Sequence, residues 1–232
     1  MALTLPVIDV LPATPRAFTV YLGLHGHSLP YQAGQALLVG SHGSERRRPY
    51  SIANAPEDSR RDERIELLVG VDATGSPGAH LALEAGSLVD VEGPLGRFTF
   101  PEHPTEERFV FIAGGTGIAP LRAMLYRALH SPHKAIGLLY SARTSVEFAY
   151  ESELRALADR HQIELKLTVT REAADDWSGA RGRIGPDDLA PLVHDPATLC
   201  FVCGPPALVT QIPQILSSLG VSPSRIRIEE WG

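Results

Sequence analysis

Residues 109–120 constrain the fold more than any other part of this chain. Phe109-Val-Phe-Ile-Ala113 is a continuous apolar run, Gly114-Gly-Thr-Gly117 follows it, and Ile118-Ala-Pro120 comes next. A continuously apolar strand belongs to a sheet covered on both faces, and glycines permit a tight turn after it. Proline suits the first turn of a helix, where its missing N–H costs nothing. We therefore expect a strand, a tight turn and a helix of a parallel α/β sheet.

The pattern of alternating strands and helices continues to the end of the chain. Such alternation predicts βαβ units in a doubly wound parallel sheet. The predicted strands are residues 108–113, 135–140, 164–170, 199–202 and 225–228, and the predicted helices are residues 118–130, 150–161 and 207–219.

The first hundred residues follow a different pattern, with short apolar segments separated by Gly, Pro and Ser. Regularly spaced short strands predict a six-stranded antiparallel β-barrel. The predicted strands are residues 4–11, 17–24, 35–39, 48–52, 64–71 and 87–92, with one short helix at residues 78–83. Residues 101–107 are polar and carry two prolines, as in a linker. We expect two domains, 1–101 and 102–232.

Composition excludes several classes of protein. A net charge of -6 argues against nucleic acid as a partner, because phosphate binding needs a basic surface. Two cysteines, Cys200 and Cys203, are too few for a disulfide scaffold or a four-thiolate iron–sulfur cluster within this sequence, and free thiols suggest a reducing compartment. The sequence shows no signal peptide, no apolar run that spans a bilayer and no metal-ligand spacing. We expect a soluble, cytoplasmic protein without a metal site.

The turn after the first α/β strand is a candidate site for a pyrophosphate. Glycines allow close approach of a ligand, and the N–H groups of a helix start attract phosphate. The acidic residue that usually binds a ribose at the end of the second strand is missing, and Ser141-Ala-Arg143 stands there instead. The alternative interpretation is a tight turn that binds nothing.

Arg48-Pro-Tyr-Ser51 is a candidate flavin strand. Alternate residues share a face, so Arg48 and Tyr50 would both face a ligand, the first for phosphate and the second for ring stacking. Pro49 keeps the backbone extended, and Ser51 can hydrogen-bond near the reactive nitrogen. The alternative is an ordinary strand leaving a basic loop.

Two further segments contain glycine-rich turns. Gly75-Ser76-Pro77-Gly78-Ala79 is a second candidate anion turn, with a plain connection as the alternative. Cys203-Gly204-Pro205 follows a strand at the edge where open α/β sheets bind ligands. Cys200 is expected in the core, because thiols at this spacing point to opposite faces of a strand.

The histidines are interpreted as surface residues. Trp231 is interpreted either as a residue that fills the core or as a cap over a cofactor.

The ordered set of motifs resembles the ferredoxin–NADP(+) reductase-like flavoprotein family over nearly the whole chain. The segments that carry the resemblance are Arg48–Ser51, residues 75–78, residues 93–98, residues 114–120, residues 140–143 and residues 203–206. The family combines a barrel that binds FAD or FMN with a domain that binds NADH or NADPH.

The resemblance implies roles for individual residues. Arg48, Tyr50 and Ser51 would hold the flavin phosphates, its ring and its reactive edge. Residues 75–79 would line the flavin pyrophosphate, although many members carry Ser or Thr where this chain has Gly78, so a backbone N–H would have to replace that contact. The nicotinamide coenzyme would lie on the turn formed by Gly114, Gly115, Thr116 and Gly117, and beside Cys203 and Gly204. Glu229 and Trp231 would approach the flavin.

The implied activity is hydride transfer from NAD(P)H to a flavin, with FAD favoured over FMN, followed by single-electron transfer to a separate protein. That partner would be a ferredoxin, a Rieske-type oxygenase component or a cytochrome, and the reductase would be a monomer. Arg143 and Arg171 would favour NADPH by meeting its 2′-phosphate, unless Arg171 pairs with Asp175 or Asp176.

Three other questions stay open at the level of sequence. The basic residues Arg46, Arg47, Arg60 and Arg61 would either steer an acidic partner or simply be solvated. A non-catalytic electron-transfer or regulatory subunit with the same fold is one alternative. A nucleotide-binding protein without flavin is another.

Overall fold

The computed structural model describes residues 2–171 and 177–230. The first sheet contains β1 (Ala2–Thr14), β2 (Ala17–Gly23), β3 (Ala36–Ser41), β4 (Arg48–Ser51), β5 (Arg64–Gly70) and β6 (Leu88–Leu95), with helix α1 (Pro56–Asp62) between β4 and β5. The second half contains β7 (Arg108–Gly114), α2 (Ile118–Leu129), β8 (Ala135–Ala142), α3 (Glu151–Asp159), β9 (Glu164–Val169), β10 (Ala180–Arg181), α4 (Pro186–Leu189), β11 (Leu199–Gly204), α5 (Pro206–Ser218) and β12 (Ile226–Glu230).

The first sheet closes into an antiparallel barrel. Its strand order is β4-β3-β6-β1-β2-β5, and neighbouring strands are antiparallel. The two outer strands meet because Ile52, directly after β4, bridges to Leu67 of β5, and the Ala53 N–H donates to the Glu66 carbonyl. Buried side chains such as Leu37 and Val39 fill the interior, as expected of a small barrel. The predicted six-stranded barrel is confirmed.

The predicted helix at residues 78–83 is wrong. The chain turns there instead, and Gly78 has a φ of +102°, which a right-handed helix does not allow. The helix of this half is α1, which has Pro56 in its first turn, acidic Glu57 and Asp58 near its start and basic residues near its end. These are ordinary helix-start and dipole signals.

The second sheet is parallel, with strand order β10-β9-β8-β7-β11-β12. Separate apolar clusters cover its two faces, and Cys203 belongs to one while Cys200 belongs to the other. The two thiols are free and point to opposite faces, as predicted. The short elements β10 and α4 were not predicted. None of the helices within the described ranges combines the length and the apolar character that crossing a bilayer requires.

An aromatic cluster joins the barrel to the parallel sheet. Phe100 follows the barrel, and its ring packs 5.0 Å from that of Phe109 and 5.7 Å from that of Phe201, measured between centroids. Phe98 meets Phe201 edge-on at 6.0 Å. Aromatic pairs at such distances add to the stabilisation from burial alone. One apolar cluster of the parallel sheet therefore extends to the barrel, whose interior forms a cluster of its own.

A buried ionic cluster centred on Arg122 of α2 forms a second connection. The Arg122 Nη1 donates to the Ala53 carbonyl at 2.8 Å and to Glu66 Oε2 of β5 at 3.2 Å. Its Nε and Nη2 donate to the carboxylate of Glu153 on α3, each at 2.8 Å. Burial opposes the charged form of Arg122, but the hydrogen bonds and charges of Glu153 and Glu66 outweigh burial and raise the Arg122 pKa.

We predict that Arg122→Met lowers the free energy of unfolding by about 3 kcal/mol, because it leaves the buried Glu66 carboxylate without its cation. Urea denaturation measures the change. The control is Arg155→Met, which removes the exposed pair of Arg155 and Glu151 and should cost less than about 0.5 kcal/mol. Equal effects of the two substitutions would show that the Arg122 cluster does not stabilise the protein.

Candidate functional site

A cleft of about 930 Å³ lies where the barrel meets the carboxyl ends of the parallel strands. The barrel contributes Arg48, Gly70 and Gly78, and the parallel sheet contributes the ends of β7, β8 and β11. In open α/β sheets this edge is where ligands bind. Two halves of the chain that are distant in sequence thus line one cavity.

The candidate flavin strand, β4, leads into this cleft. β4 pairs with β3, and Arg48 is exposed at the cleft wall beside Ser76, Pro77 and Gly78. Pro49 is exposed, Tyr50 is half-buried and Ser51 is buried. The Ser51 Oγ is buried without a hydrogen-bond partner among the described residues. An unpaired buried hydroxyl calls for a partner, and a flavin edge would supply one.

Tyr50 is held by a residue that the sequence analysis missed. Its hydroxyl lies 2.7 Å from His80 Nε2, and the two rings stack with an interplanar angle of 13°. Burial raises the pKa of Tyr50 to about 12, so the phenol stays protonated at neutral pH. His80 is only 4% exposed, so its interpretation as a surface residue is wrong.

The second glycine turn is shaped by Asp72. The Asp72 Oδ1 accepts hydrogen bonds from the Thr74 N–H, the Thr74 hydroxyl and the Ser76 N–H, at 2.7–3.0 Å. The bond from the Thr74 hydroxyl and the two from backbone N–H groups lower the pKa of Asp72. The side chain therefore keeps the turn folded beside Arg48.

Gly78 leaves space next to the arginine. A Cβ at Gly78 would lie 3.9 Å from Arg48 Nη1 and 3.4 Å from His80 Nδ1. The Gly78 N–H donates to Ser76 Oγ at 3.1 Å, so the backbone donor expected here for a phosphate is already engaged. Gly75 and Ala79 are exposed on the same turn.

The four residues of the first glycine turn divide into two kinds. Gly115 and Thr116 are exposed in the cleft; Gly115 has a φ of +56°, and a Cβ there would meet no described atom within 4 Å. Gly114 also lines the cleft, but a Cβ there would lie 2.8 Å from Pro205 Cδ. Gly117 is buried, and a Cβ would lie 2.4 Å from the Cys203 carbonyl oxygen. One part of the turn is open to a ligand, and the other packs against β11.

The Tyr140 hydroxyl holds the glycine turn at residues 114–117 in place. It donates to the Gly115 carbonyl at 3.0 Å and accepts from the Ala149 N–H at 3.3 Å. The ring is buried against Phe148, and burial raises the Tyr140 pKa. The hydroxyl therefore fixes the orientation of the Gly115 peptide at the cleft wall.

The segment at the end of β11 contributes backbone rather than a thiol. Cys203 is fully buried, and burial, then the charge of Glu229, raises its pKa. Glu229 lies opposite Cys203 in the register of β11 and β12. Gly204 packs against Gly114, and Pro205 lines the cleft. The thiol is thus a poor nucleophile, and Trp231 lies outside the described residues.

Three exposed arginines line the other end of the cleft: Arg143, Arg171 and Arg183. Within the described ranges none of them forms an ion pair with a carboxylate. Asp175 and Asp176, the alternative partners of Arg171, lie outside the described residues. Arg183 was not identified from the sequence, because it lies well after the motif that contains Arg143.

Two family profiles and several known proteins match this chain. A profile described as "Oxidoreductase FAD-binding domain" matches residues 4–100, and one described as "Oxidoreductase NAD-binding domain" matches residues 111–214. Ferredoxin–NADP reductase B of Sorangium cellulosum is 34% identical over 219 residues, which are 89% of this chain and 87% of that protein.

Two further relatives are longer than this chain. The reductase component of phenol 2-monooxygenase from Pseudomonas sp. (strain CF600) is 32% identical over 81% of this chain and 54% of its own length. The crystal structure of the Amycolatopsis cytochrome P450 reductase GcoB superposes with a TM-score of 0.83 at 28% identity, over 99% of this chain and 69% of its own.

Residues of the cleft and of β4 fit the two ligands that these matches indicate. The unpaired Ser51 hydroxyl and the space at Gly78 beside Arg48 suit a flavin, and the open turn at Gly115 suits a dinucleotide. The chain belongs to the ferredoxin–NADP(+) reductase-like flavoprotein family and is an NAD(P)H-dependent, FAD-binding oxidoreductase.

Proposed function

We propose that this protein takes a hydride from NADPH onto FAD within the cleft and then delivers single electrons to a separate iron–sulfur or heme protein. The observation that supports the proposal is the continuity of the cleft. One cavity runs from Arg48 and Gly78 on the barrel to Gly115 and Thr116 on the parallel sheet. Bound FAD would accept two electrons from the coenzyme and release them one at a time to the acceptor.

The residues of the barrel side have distinct proposed roles. Arg48 holds the flavin phosphates beside residues 75–79, Tyr50 carries the ring, and Ser51 hydrogen-bonds its reactive edge. The proposed flavin domain is residues 1–101.

Residues 102–232 form the proposed nicotinamide domain. Gly114 to Gly117 bind the pyrophosphate, and Cys203, Gly204 and Pro205 form the wall beside the nicotinamide. Glu229 pairs with Cys203 in the register of β11 and β12, and its proposed role is to hold a carboxylate near the nicotinamide, where it would favour the positively charged oxidised form. Trp231 remains the proposed cap. These groups act by proximity and alignment, because no proton has to leave a side chain in the hydride step.

A separate electron acceptor is supported by composition and by the relatives. The two cysteines of this sequence do not suffice for an iron–sulfur cluster. The relatives described above include a ferredoxin reductase, the reductase component of a monooxygenase and a cytochrome P450 reductase. We propose the same class of acceptor here: a ferredoxin, an oxygenase component or a cytochrome.

The charges of most arginines expected to steer the acceptor are compensated by nearby carboxylates. Arg47 contacts Glu92 at 2.6 Å and is half-buried, so its expected exposure is wrong. Arg61 pairs with Asp58 at 2.8 Å, and Arg60 lies 3.7 Å from Glu57. Arg46 is exposed and has no carboxylate partner among the described residues. Steering by this group of arginines is therefore weak.

The preference for NADPH rests on Arg143, Arg171 and Arg183. A 2′-phosphate is the group that distinguishes NADPH from NADH, and several guanidinium groups without carboxylate partners within the described ranges offer it charge-assisted hydrogen bonds. An acidic ribose ligand, which would repel that phosphate, is absent at the end of β8, where Ser141 and Arg143 stand.

The first prediction concerns the cofactor and the acceptor. Purified protein should be yellow, should release FAD on denaturation as identified by mass, and should bleach on anaerobic addition of NADPH. In turnover it should reduce a ferredoxin or a cytochrome. A colourless protein that takes up no FAD would contradict the assigned cofactor, and reduction of a two-electron dye alone would contradict the proposed acceptor.

The second prediction concerns the coenzyme. Arg143→Ala, Arg171→Ala and Arg183→Ala should each lower kcat/KM for NADPH by about tenfold, because each removes a hydrogen bond between charged groups. The value for NADH should stay within about twofold. Arg160→Ala is the matched control, because Arg160 is exposed directly after α3, is not among the residues that line the cleft, and should alter neither coenzyme. Unchanged NADPH to NADH ratios in all three variants would remove the proposed preference.

The third prediction concerns the pyrophosphate turn. Tyr140→Phe should raise KM for NADPH about fivefold and leave kcat and FAD content nearly unchanged, since the Gly115 peptide loses its fixed orientation. Steady-state kinetics measure this split. Tyr31→Phe, which removes a phenol hydrogen bond to the Asn54 carbonyl inside the barrel half, should leave KM unchanged. An equal rise of KM in both variants would indicate a general loss of stability instead.

A further inference from the structure

The His80 imidazole is a buried polar group that the proposed function has not used. It belongs to the segment after the Asp72 turn, and its carbonyl accepts the Ser41 N–H at 2.8 Å, which ties its backbone to the end of β3. The backbone of His80 is thus attached to β3, the strand that pairs with the flavin strand β4.

The imidazole contacts two parts of the proposed flavin site at once. Nε2 lies 2.7 Å from the Tyr50 hydroxyl, and the ring lies parallel to the Tyr50 ring with centroids 5.9 Å apart. Nδ1 faces Gly78, where a Cβ would lie 3.4 Å away, so Gly78 leaves the imidazole room. His80 therefore sits between the aromatic ring of β4 and the phosphate-side turn.

Tyr50 has no other anchor at its hydroxyl. In the described part of the chain His80 is its one hydrogen-bond partner, and Tyr50 is half-buried on a short strand paired with β3. A phenol ring turns about two side-chain torsions. Without the imidazole, nothing described at the hydroxyl end would hold the ring in its position.

The electrostatic surroundings keep His80 neutral. Burial lowers its pKa, and the nearby Arg48 cation lowers it further. A neutral imidazole has one N–H and one acceptor nitrogen, so it suits a phenol in either tautomer. A second cation beside Arg48 is avoided, and the hydrogen bond persists at neutral pH.

We infer that His80 is a positioning residue for FAD: it fixes the position of the Tyr50 ring and couples that ring to the turn at residues 72–78. The inference rests on the proposed role of Tyr50 as the platform for the flavin ring. FAD bound at the turn would then meet an aromatic platform already in orientation, which lowers the entropic cost of ordering the site.

The test measures FAD release from the purified holoprotein upon dilution, followed by the rise in flavin fluorescence, together with the visible spectrum of the bound flavin. His80→Phe keeps an aromatic ring but loses the hydrogen bond, and it should release FAD about fivefold faster, the factor expected for one hydrogen bond. The flavin spectrum should shift, because the Tyr50 ring beside it is no longer held in position.

Two amide substitutions provide the matched comparison. The Gln side chain reaches the position of Nε2, whereas the shorter Asn side chain reaches only that of Nδ1. His80→Gln should therefore restore slow FAD release, and His80→Asn should resemble His80→Phe. If all three variants release FAD at the original rate, or if Gln and Asn behave alike, the positioning role is wrong.

A double-mutant cycle separates this role from a general effect on stability. Tyr50→Phe and His80→Phe should not add, because both remove the same hydrogen bond. Tyr31→Phe should leave the release rate unchanged while lowering the melting temperature. Additive effects of Tyr50→Phe and His80→Phe would overturn the inference.

One further variant distinguishes failure of the inference from failure of the proposed platform. Tyr50→Leu removes the ring itself. If Tyr50→Leu leaves the release rate and the spectrum unchanged, Tyr50 is not the platform and both ideas fail. If Tyr50→Leu accelerates release but His80→Phe does not, the platform stands and His80 has no part in it.

Discussion

The relation between the two sheets depends on the buried cation of Arg122. Its hydrogen bonds reach the Ala53 carbonyl and Glu66 on the barrel and Glu153 on α3. Ala53 lies two residues beyond Ser51, so the cluster is attached almost directly to the flavin strand. Hydride transfer requires the two rings to lie within contact distance. A fixed angle between the sheets is therefore a condition for the chemistry, and the Phe100 cluster supports the same angle with apolar contacts.

Within this frame, hydrogen bonds from side chains shape the backbone of the cleft wall. Asp72 folds one turn, Tyr140 orients the peptide of Gly115 in the other, and Gly117 lets that turn pack against β11. Backbone donors are identical in every residue, so their direction carries the specificity. The proposed roles of Tyr140 and His80 follow from this, because each lies beside a glycine that lines the cleft.

The barrel, the parallel sheet and the order of the glycine turns could be predicted from the sequence. They follow from the periodicity of apolar residues and from glycines beside apolar strands. The sequence analysis misplaced one helix, since Pro77-Gly78 resembles a helix start as much as Pro56-Glu57-Asp58 does. The polar contacts between distant parts of the chain could not be predicted from the sequence. Arg122 reads as an ordinary exposed helix residue, and His80 as a loop histidine, until the fold brings Glu66 and Tyr50 beside them. Such pairings join residues far apart in the chain, and no local pattern records them.

The arginines of the cleft differ from Arg47 and Arg61, which lie elsewhere on the barrel half, in how their charge is compensated. The chain as a whole carries a net charge of -6, which disfavours the approach of an anionic coenzyme at long range. At physiological ionic strength such fields fade over roughly 8 Å, so the local groups decide binding. Arg143, Arg171 and Arg183 are such groups, since within the described ranges they carry no carboxylate partner, whereas Arg47 and Arg61 on the barrel are paired with their own acids. Charge can therefore contribute to recognition of the coenzyme, whereas the charges of Arg47 and Arg61 are already compensated by their own carboxylate partners.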